Sequence, residues 1–452
     1  MPGPTRLKPL HNTAAGGDGV GDVMVWGDNT CMALGVGTRA SCRKRPFPVA
    51  LVNKTAPSGL TRLLPKCRQV VASGVHSAAV STAGDLFTWG VNDEGQLGRR
   101  IDDGDDEAPA RPGVVSLGEG ARKVASVAAT DAATFALTED GTLYGTGVFK
   151  DDGEVGFSPS NLGRQQTPVP MAGPAMGGAP IASVAAGNTH IVCLTDPTGG
   201  GAGGKVGKAG AKASVLTAGA GGQGQLGRVG PRLSVRRAGA VLLGLAPVRL
   251  PRGSGNPVAV FAGGWHSFVI TDADKVVGWG LNNWGQLAMP VDGGCIYVPT
   301  VIPSLSGKGI TRLACGEHHT VALTSAGTVL SFGRAAYGRL GRDPGVPLEM
   351  GDAACPEPAP VEFPPGSAAM VSVAAGMKES AAVDVHGAVY CWGSGSGNMQ
   401  GRGDDEDDVT RPEKIPEKEA YAYWRPKTQR IVEVSIGAQH VALLASPGHD
   451  AP

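Results

Sequence analysis

The sequence predicts an all-β protein: a seven-bladed β-propeller whose four-stranded antiparallel blades are closed by strands from both termini. Three observations lead to this fold. Glycine makes up 71 of 452 residues, about twice its usual share of roughly 7%, which indicates many tight turns. Long segments read alike, as VVASGVHSAAVSTAGDLFTWGVNDEGQLG from Val70 and VFAGGWHSFVITDADKVVGWGLNNWGQLA from Val260 do. Finally, fixed numbers of residues separate the shared positions, which is the signature of a repeat architecture.

Three columns of shared positions define the register of the repeat, with the units numbered from the first Trp-Gly. The histidine column consists of His440, His76, Ala133, His190, His266, His319 and Glu379. The aromatic-glycine column ends at Gly27, Gly90, Gly147, Gly219, Gly280, Gly333 and Gly393. The Leu-Gly-like column ends at Gly35, Gly98, Gly156, Gly227, Ala288, Gly341 and Gly401. Within the continuous units the first step is 14 residues except in the fourth, where it is 29, and the second is 8 except in the third, where it is 9.

Each unit contains alternating apolar residues, as in DLFTW from Asp85. Alternation with a period of two, broken by short turns, predicts antiparallel hairpins. One blade joins two half-units, because Trp26-Gly27 has no histidine segment before it and His440 has no Trp-Gly after it. Joining the two termini in one blade removes exposed strand edges.

The repeat therefore predicts one large domain, residues 23–446. A short flexible segment, residues 1–22, precedes it and a tail, residues 447–452, follows it. The extra residues of the fourth unit fall in a Gly/Ala/Lys segment, residues 197–214, that has nothing apolar to bury. We expect this insertion to be a mobile hairpin tip.

The net charge and the cysteine content limit which classes of protein this chain can belong to. Lys plus Arg and Asp plus Glu number 40 each, so the formal net charge is zero, and any contact with DNA needs a local patch. Eight cysteines are scattered without a C-x-x-C pair, which favours free thiols in a reducing compartment. No run of apolar residues is long enough to predict a membrane helix. We expect an intracellular monomer with no membrane partner.

No set of residues predicts covalent catalysis. His318 and His319 are adjacent, but neighbours on a strand point to opposite faces, which is unfavourable for a metal site. No serine or cysteine lies in an elbow motif, and no catalytic pair of carboxylates is identifiable. We therefore expect no cofactor and no metal, and an enzyme acting in the central channel is a poor alternative.

The two positions before the histidine column, the lead-in pairs, vary between blades. They read Gly74-Val75, Asp131-Ala132, Asn188-Thr189, Gly264-Trp265, Glu317-His318, Met377-Lys378 and Ala438-Gln439. A position that varies while its neighbours repeat is free of the demands of the scaffold. Because the pairs enter equivalent strands, we expect a circle of loops on one propeller face, suited to docking a protein. The histidine column itself we interpret as structural.

Several segments resemble the regulator of chromosome condensation family, chromatin-bound exchange factors for the GTPase Ran. NDEGQLGR, GVFKDDGEVG, GLNNWGQL, GEHHTVALTSAG and FGRAAYGRLG occur in the blade order of that family, and the likeness spans about Val23 to Ser446. The resemblance implies nucleotide exchange on Ran without covalent chemistry, with one propeller face on Ran and the other on chromatin. It also implies a nuclear, chromatin-associated location, contacts with histones or the nucleosome, and at most weak binding of DNA.

The resemblance also implies site residues. From spacing alone, the extra residue of the third blade could be an ordinary bulged turn, whereas the family has there a β-wedge that presses near the phosphate-binding loop of Ran. The wedge positions here are Phe149, Lys150, Asp151, Asp152, Gly153, Glu154 and Val155. Single residues that match exchange residues of the family are Asp131, Arg228, His318 and His440. The residues that lie where the family has a histone-contacting basic loop are Arg232, Arg236 and Arg237.

The chain departs from the family at three places. Thr189-His190 replaces an Asp-His pair, so one carboxylate that contributes to exchange is lost, and the wedge is one residue shorter. Residues 1–22 contain only two basic side chains, Arg6 and Lys8, in place of a basic tail, so we also expect a cytoplasmic fraction. The alternative function is a propeller of the same superfamily that serves as an interaction scaffold without exchange activity.

Overall fold

The computed structural model describes residues 19–447, apart from residues 37–40, 53–60, 102–103, 152–153, 197–211, 231–234, 347–350, 404 and 417–428. Within these residues, seven four-stranded antiparallel sheets form the blades of a propeller, as the repeat predicts. In blades 2 to 7 the strands pair in chain order, whereas blade 1 pairs two strands from the end of the chain with two from its start. The innermost strand of each blade lines the central channel.

The strands and helices follow in chain order. Blade 1 begins with β1 (Asp22–Asp28) and β2 (Cys42–Pro48), and a hairpin of β3 (Ala50–Val52) and β4 (Thr61–Leu63) follows. Blade 2 contains β5 (Cys67–Ala72), β6 (His76–Ser81), β7 (Leu86–Gly90) and β8 (Gly113–Val115). Blade 3 contains β9 (Val124–Ala129), β10 (Ala133–Thr138), β11 (Leu143–Gly147) and β14 (Gln165–Ala172), interrupted by the hairpin β12 (Phe149–Asp151) and β13 (Glu154–Gly156). Blade 4 contains β15 (Ile181–Ala186), β16 (His190–Thr195), β17 (Val215–Gly219) and β18 (Ala246–Pro247), with helix α1 (Val235–Leu242) before β18.

The remaining blades are regular. Blade 5 contains β19 (Pro257–Ala262), β20 (His266–Thr271), β21 (Val276–Leu281) and β22 (Cys295–Val301). Blade 6 contains β23 (Ile310–Cys315), β24 (His319–Thr324), β25 (Val329–Arg334) and β26 (Ala354–Pro360). Blade 7 contains β27 (Met370–Ala375), β28 (Glu379–Asp384), β29 (Val389–Gly393) and β30 (Val409–Lys414). Blade 1 is completed by β31 (Gln429–Ile436) and β32 (His440–Pro447), and short 3-10 turns lie at Pro174–Met176, Ala336–Gly338 and Ser396–Asn398.

Both ends of the chain close the ring in blade 1. Strand β1 pairs with β32 from Asp22 opposite Ala445 to Gly27 opposite His440, so the predicted closure is confirmed. The predicted insertion joins β16 to β17, and its residues 197–211 lie outside the described part of the chain. Among the described residues, no helix combines the length and apolarity needed to cross a bilayer.

The hydrophobic core lies between neighbouring blades. Val80 and Leu86 of blade 2, for example, pack in one buried cluster with Val127 and Ala136 of blade 3. The tryptophans of the aromatic-glycine column are fully buried, and a buried indole N–H needs an acceptor. Trp89 finds it in the preceding blade, where Nε1 donates to the carbonyl oxygen of Ala33 at 2.8 Å. Each such contact ties two blades together.

Glycine is required in the aromatic-glycine column by the backbone. All seven glycines of the column have positive φ, between 93° and 121°, a region that side chains disfavour. A Cβ atom on Gly90 would lie 2.6 Å from the Cα of His76 on the paired strand. Glycine therefore recurs in this column because the third strand of a blade ends in close contact with the start of the second strand, as β7 does with β6.

The histidine column forms hydrogen bonds between blades. His76 Nε2 lies 2.8 Å from Thr134 Oγ1 of the next blade, and that hydroxyl donates to the carbonyl oxygen of Gln96 at 2.8 Å. Since the hydroxyl donates elsewhere, we assign the proton to Nε2. The same contact recurs in the pairs His190–Ser267, His266–Thr320, His319–Ser380 and His440–Ser77. The prediction that this column is structural is confirmed.

Two seams between blades lack this hydrogen bond, and both sides of each seam have changed. Blade 3 has Ala133 in the column, and the matching position of blade 4 is Ile191 instead of a hydroxyl residue. Blade 7 has Glu379, and the matching position of blade 1 is Val441. An acceptor and its donor are thus lost together, as expected because an unpaired buried polar group is costly.

Candidate functional site

The lead-in pairs surround the mouth of the central channel. In an antiparallel blade, the loop between the first and second strands and the loop between the third and fourth leave at the same end. We call that end of the disc the lead-in face. Backbone hydrogen bonds join successive lead-ins, from Asp131 N–H to the Asn188 carbonyl at 3.1 Å and from Asn188 N–H to the Gly264 carbonyl at 3.2 Å. The predicted circle of loops is therefore present.

The channel inside this circle is a cavity of about 820 Å³. Its mouth includes Asp131, Lys150, Trp265 and Glu317, and its walls are the innermost strands of the blades. The mouth thus carries charged and aromatic side chains that differ between blades, and a rigid ring of strands holds them. Binding surfaces commonly have this arrangement.

Asp131 lies at the channel mouth, partly buried. Its carboxylate packs against Gly74 of the neighbouring blade so closely that a Cβ atom there would collide with Oδ1. Burial raises the pKa of Asp131 to about 7, Glu317 raises it further, and Lys150 acts in the opposite direction. At neutral pH this carboxyl group therefore exchanges readily between its charged and neutral forms.

His318 lies on the same face in blade 6. Its ring contacts that of Trp265, with 5.6 Å between ring centroids. Burial, followed by the charges of Arg334 and Arg339, lowers the pKa of His318 to about 4. The imidazole is therefore neutral at physiological pH, and its Nδ1 has no hydrogen-bond partner among the described residues. Asp131 and His318 thus share one open rim, as the sequence predicts.

The wedge is a separate two-stranded hairpin of blade 3. Phe149, Lys150 and Asp151 pair with Gly156, Val155 and Glu154, so a two-residue loop connects β12 to β13. Its residues Asp152 and Gly153 lie outside the described part of the chain, as do the side chains of Asp151, Glu154 and Val155. The irregular third blade therefore contains a hairpin of its own and not only a bulged turn.

Glu94 of blade 2 holds the base of this wedge. Its Oε1 lies 2.9 Å from Lys150 Nζ, and its Oε2 accepts a hydrogen bond from Arg164 Nε. Glu94 is 8% exposed, and the hydrogen bond from Arg164 is the main reason why its pKa is lowered. One carboxylate thus contacts the chain on both sides of the hairpin, which fixes the hairpin against the neighbouring blade.

Sequence reasoning missed Glu94, although a signal was present. It occupies a second variable column, three residues before the Leu or its equivalent in the Leu-Gly-like column. The residues of that column are Cys31, Glu94, Asp152, Gln223, Trp284, Tyr337 and Gly397. The two variable columns lie in the two loops that open on the lead-in face.

Blades 5 to 7 carry cations and aromatic rings on the same face. Arg334 lies over the ring of Trp284 at 4.5 Å. Tyr337, 42% exposed, has Lys378 at 4.8 Å and Arg339 at 5.4 Å from its ring centroid. Such contacts hold cationic side chains in place. Acidic groups lie among these cations, because Asp352 pairs with Arg334 at 2.6 Å and the charges of the three cations act on the pKa of Glu317.

Two residues assigned to GTPase contact belong instead to the interior. His440 is fully buried and bonded to Ser77 at 2.6 Å. Phe149 is also fully buried and stacks on Phe135, with 5.5 Å between ring centroids. Neither side chain reaches the surface, so a role of either residue in exchange would act through its neighbours and stays a prediction.

Arg228 likewise serves the scaffold. Its guanidinium donates to the carbonyl oxygens of Val241 at 2.7 Å and Gly244 at 3.0 Å, and to Thr217 Oγ1 at 3.1 Å. Equivalent arginines in other blades, Arg99 and Arg342, also donate to backbone carbonyls of their own blade. Arg228 therefore positions the loop that contains α1 and is not available as an open contact side chain.

The three arginines expected to bind chromatin lie in this same loop. Arg232 is outside the described residues, and Arg236 and Arg237 lie in α1, where only the backbone is described. Helix α1 contacts β13 of the wedge, and Gly239 lies close to Leu162. The loop leaves blade 4 on the lead-in side. It therefore lies on the face expected to bind Ran and not on the opposite face expected to bind chromatin.

The part of the chain that the structure describes contains no cluster of three or more potential metal ligands among His, Cys, Asp and Glu. All eight cysteines are free. The lead-in face offers hydrogen-bonding, charged and aromatic side chains on a rigid ring of strands, which suits it to binding a partner.

Comparison with known proteins gives a consistent result. A family model described as RCC1-like domain matches residues 22–443. Regulator of chromosome condensation from Xenopus laevis is 32% identical over 98% of this chain and 92% of its own length. Guanine nucleotide exchange factor SRM1 from Saccharomyces cerevisiae is 29% identical over 87% of this chain and 82% of its own length. Prp20p from Saccharomyces cerevisiae, whose crystal structure is described together with its binding properties to Gsp1p and histones, has a TM-score of 0.78 at 26% identity, with 97% and 94% of the two chains covered.

Proposed function

The chain belongs to the RCC1-like domain family, and from that premise we propose that it is a guanine-nucleotide exchange factor for the small GTPase Ran. The GTPase docks on the lead-in face. The observation that carries this proposal is the position of the wedge hairpin beside Asp131 at the rim of the channel. The relative named as a guanine nucleotide exchange factor supports the activity.

Exchange requires no covalent step by this chain. A protein that binds the nucleotide-free GTPase more tightly than the loaded form weakens nucleotide binding by the same factor. The wedge hairpin, whose base Glu94 contacts through Lys150 and Arg164, supplies an element that can press against the nucleotide site. Asp131 and the neutral His318 supply an acceptor and a hydrogen-bonding ring that can hold displaced segments of the GTPase.

The two sides of the lead-in face carry different groups, which supports a fixed docking orientation. Glu94, with its partners Lys150 and Arg164, lies at the side of blades 2 and 3. Lys378 lies beside the exposed ring of Tyr337 at the side of blades 6 and 7. An uneven distribution of charged groups on one disc favours one rotational setting of a partner and disfavours others. We propose that Ran presents an acidic group to Lys378.

We further propose that the protein works in the nucleus, associated with chromosomes. Names of the relatives refer to chromosome condensation, and the solved relative is described with its binding to histones. Histones or the nucleosome are therefore the proposed second partner, with Arg232, Arg236 and Arg237 as candidate contacts and weak binding of DNA. A cytoplasmic fraction stays a prediction.

The direct test is release of a fluorescent GDP analogue from purified Ran. Catalytic amounts of this chain should accelerate release well above the intrinsic rate, and excess unlabelled GDP should compete. An unchanged release rate would remove the exchange proposal. A pull-down with nucleotide-free and GDP-loaded Ran then separates the two candidate functions, because an exchange factor prefers the empty form and a scaffold has no such preference.

A further inference from the structure

We propose that the central channel is a binding site for a small free oxyanion, of the phosphate or carboxylate class, with Arg312 as the anion-binding side chain. The proposal concerns the interior of the propeller, below the lead-in face. It does not depend on docking of a GTPase and is tested without one.

The channel contains polar side chains below its mouth. Small residues form much of its wall, among them Ala128, Ala185, Ala314 and Ala374. The polar lining residues farthest along the strands from the lead-ins, which we call the floor residues, are Gln69, Arg312 and Glu433. The floor residue of each blade precedes the lead-in by about five residues, which at about 3.3 Å per residue places it roughly 16 Å below the mouth. A cavity of about 820 Å³ holds a small anion together with water.

The repeat shows that the scaffold does not require these floor residues. The residue seven positions before the histidine column reads, from blade 1 to blade 7, Glu433, Gln69, Ser126, Ser183, Ala259, Arg312 and Ser372. Four blades are built with a serine or alanine at this position. The long charged side chain of Arg312 therefore serves something other than the blade itself.

Arg312 is short of partners inside the channel. Its hydrogen bond within the described residues runs from Nη1 to Ser372 Oγ, at 3.1 Å. A guanidinium has five N–H donors, and Arg312 is only partly buried, so the donors that Ser372 does not use face the channel. Glu433 is the carboxyl group whose charge acts on Arg312. An oxyanion can accept two parallel hydrogen bonds from the free side of the guanidinium.

The other two floor residues are already engaged. Gln69 Nε2 donates to the carbonyl oxygen of Val127 at 3.0 Å, and its Oε1 accepts from Val127 N–H at 2.8 Å. Glu433 accepts from the backbone N–H of Val70. Arg312 is thus the floor group with donors to spare.

Burial reduces the tendency of the carboxyl groups along the channel to carry a negative charge. Burial raises the pKa of Glu433 to about 8, although Arg312 acts in the opposite direction. Burial also raises the pKa of Asp131 at the mouth to about 7, and it raises the pKa of Glu317 there. At neutral pH Glu433 is therefore largely uncharged, while the guanidinium keeps its positive charge.

The experiment is isothermal titration of the full chain at pH 7 with sodium phosphate and, separately, with sodium acetate, at ionic strength held constant with NaCl. We expect saturable binding to one site for at least one of the two anions. The tighter-binding anion identifies the ligand class. Absence of saturable binding for both anions would overturn the proposal.

Two substitutions locate the site. Arg312→Ser installs the residue that three blades already carry at this position, so the fold should be kept, as circular dichroism and thermal melting will check. It should weaken anion binding at least tenfold, whereas Arg252→Ser, which removes the same charge from an exposed loop, should leave binding unchanged. Equal affinity in the protein and its Arg312→Ser variant would overturn the proposal.

Glu433→Gln distinguishes charge from packing at the floor. This variant keeps the shape of the floor and the charge of Arg312, so binding should stay within about twofold. A loss as large as that caused by Arg312→Ser would show that an intact floor, and not the guanidinium, carries the binding, and would overturn the assignment. Since no GTPase is present, failure here leaves the proposed exchange activity untouched.

Discussion

His318 and His319 are neighbours in the chain but belong to two different regions of the molecule. His319 is fully buried, and its Nε2 lies 2.7 Å from Ser380 Oγ at the seam between blades 6 and 7. His318 lies on the lead-in face against the ring of Trp265. Burial lowers the pKa of both imidazoles, so charge does not distinguish them. What distinguishes them is the partner: the His319 ring bonds to Ser380 across a blade seam, whereas the His318 ring contacts Trp265 and its Nδ1 has no hydrogen-bond partner among the described residues.

The same contrast separates Arg228 from Arg334. Arg228 donates to several carbonyl oxygens of its own blade, and arginines recur at its position. Arg334 lies over Trp284 and pairs with Asp352 at 2.6 Å on the open face. Side chains that recur from blade to blade in this protein therefore form hydrogen bonds within the scaffold. Side chains that vary between blades at the rim remain accessible.

The largest expected effect comes from Asp131→Ala, which removes the acidic group of the variable rim beside the wedge. Release of GDP from Ran should slow by about 5- to 150-fold, the range of typical coupling free energies. The matched control is Glu139→Ala in the same blade, because Glu139 is exposed in the loop at the opposite end of β10. Equal rates for the two variants would contradict the assignment of function to the lead-in face.

Glu379→Gln tests the role of Glu379, the one acidic residue of the histidine column. Burial raises the pKa of Glu379 to about 7, above its unfolded value. A carboxyl group whose pKa is higher in the folded protein contributes fully to stability below its pKa in the unfolded chain. That contribution is lost as the pH rises through its pKa in the folded protein. The variant should therefore become more stable than the parent chain between about pH 4.5 and pH 7, by roughly 2–3 kcal/mol.

Urea unfolding of both chains at several pH values measures this difference. The other buried acids, Glu433 among them, are common to both chains and cancel in the comparison. A stability difference that does not vary with pH would show that Glu379 is charged in the folded protein, and the expected linkage would be wrong.

His319→Ala and His318→Ala compare directly the loss of a buried ring with the loss of a ring on the lead-in face. Loss of the buried His319 ring leaves Ser380 Oγ without its donor and should reduce the free energy of unfolding by about 1–3 kcal/mol. Loss of the rim ring of His318 should change stability by less than about 0.5 kcal/mol and should slow exchange. Denaturant melts and the GDP-release assay on both variants provide the four measurements. Reversed effects would remove the distinction between scaffold and rim.

The smallest expected effect is that of Glu94→Gln, which acts on the wedge through its base. The amide is neutral and weakens the contacts with Lys150 and Arg164, so GDP release should slow by about tenfold, or about 1.4 kcal/mol. Hydrogen exchange in β12 and β13 should accelerate while the blades keep their protection. Slower GDP release without a change in the hairpin would indicate a direct contact of Glu94 with the GTPase and would contradict the positioning role.

Much of the fold could be predicted because each blade is a local unit with the same demands. The spacing of the histidine and glycine columns predicts seven blades and their closure through Trp26 and His440. The candidate site was predicted only in part. Asp131 and His318 stand out because they break the pattern. Glu94 was missed because its contact with Lys150 joins two neighbouring blades and cannot be seen within one repeat.

The sequence by itself determined the number of blades, the ring closure and the identity of the variable rim, since periodic spacing reflects forces that repeat in every unit. Only the tertiary structure decided which matched residues are accessible. It placed Phe149 and His440 in the interior, Arg228 among backbone carbonyls, and Arg312 at the floor of the channel. Burial and hydrogen-bond partners arise from neighbouring blades, and the order of residues along one blade does not contain them.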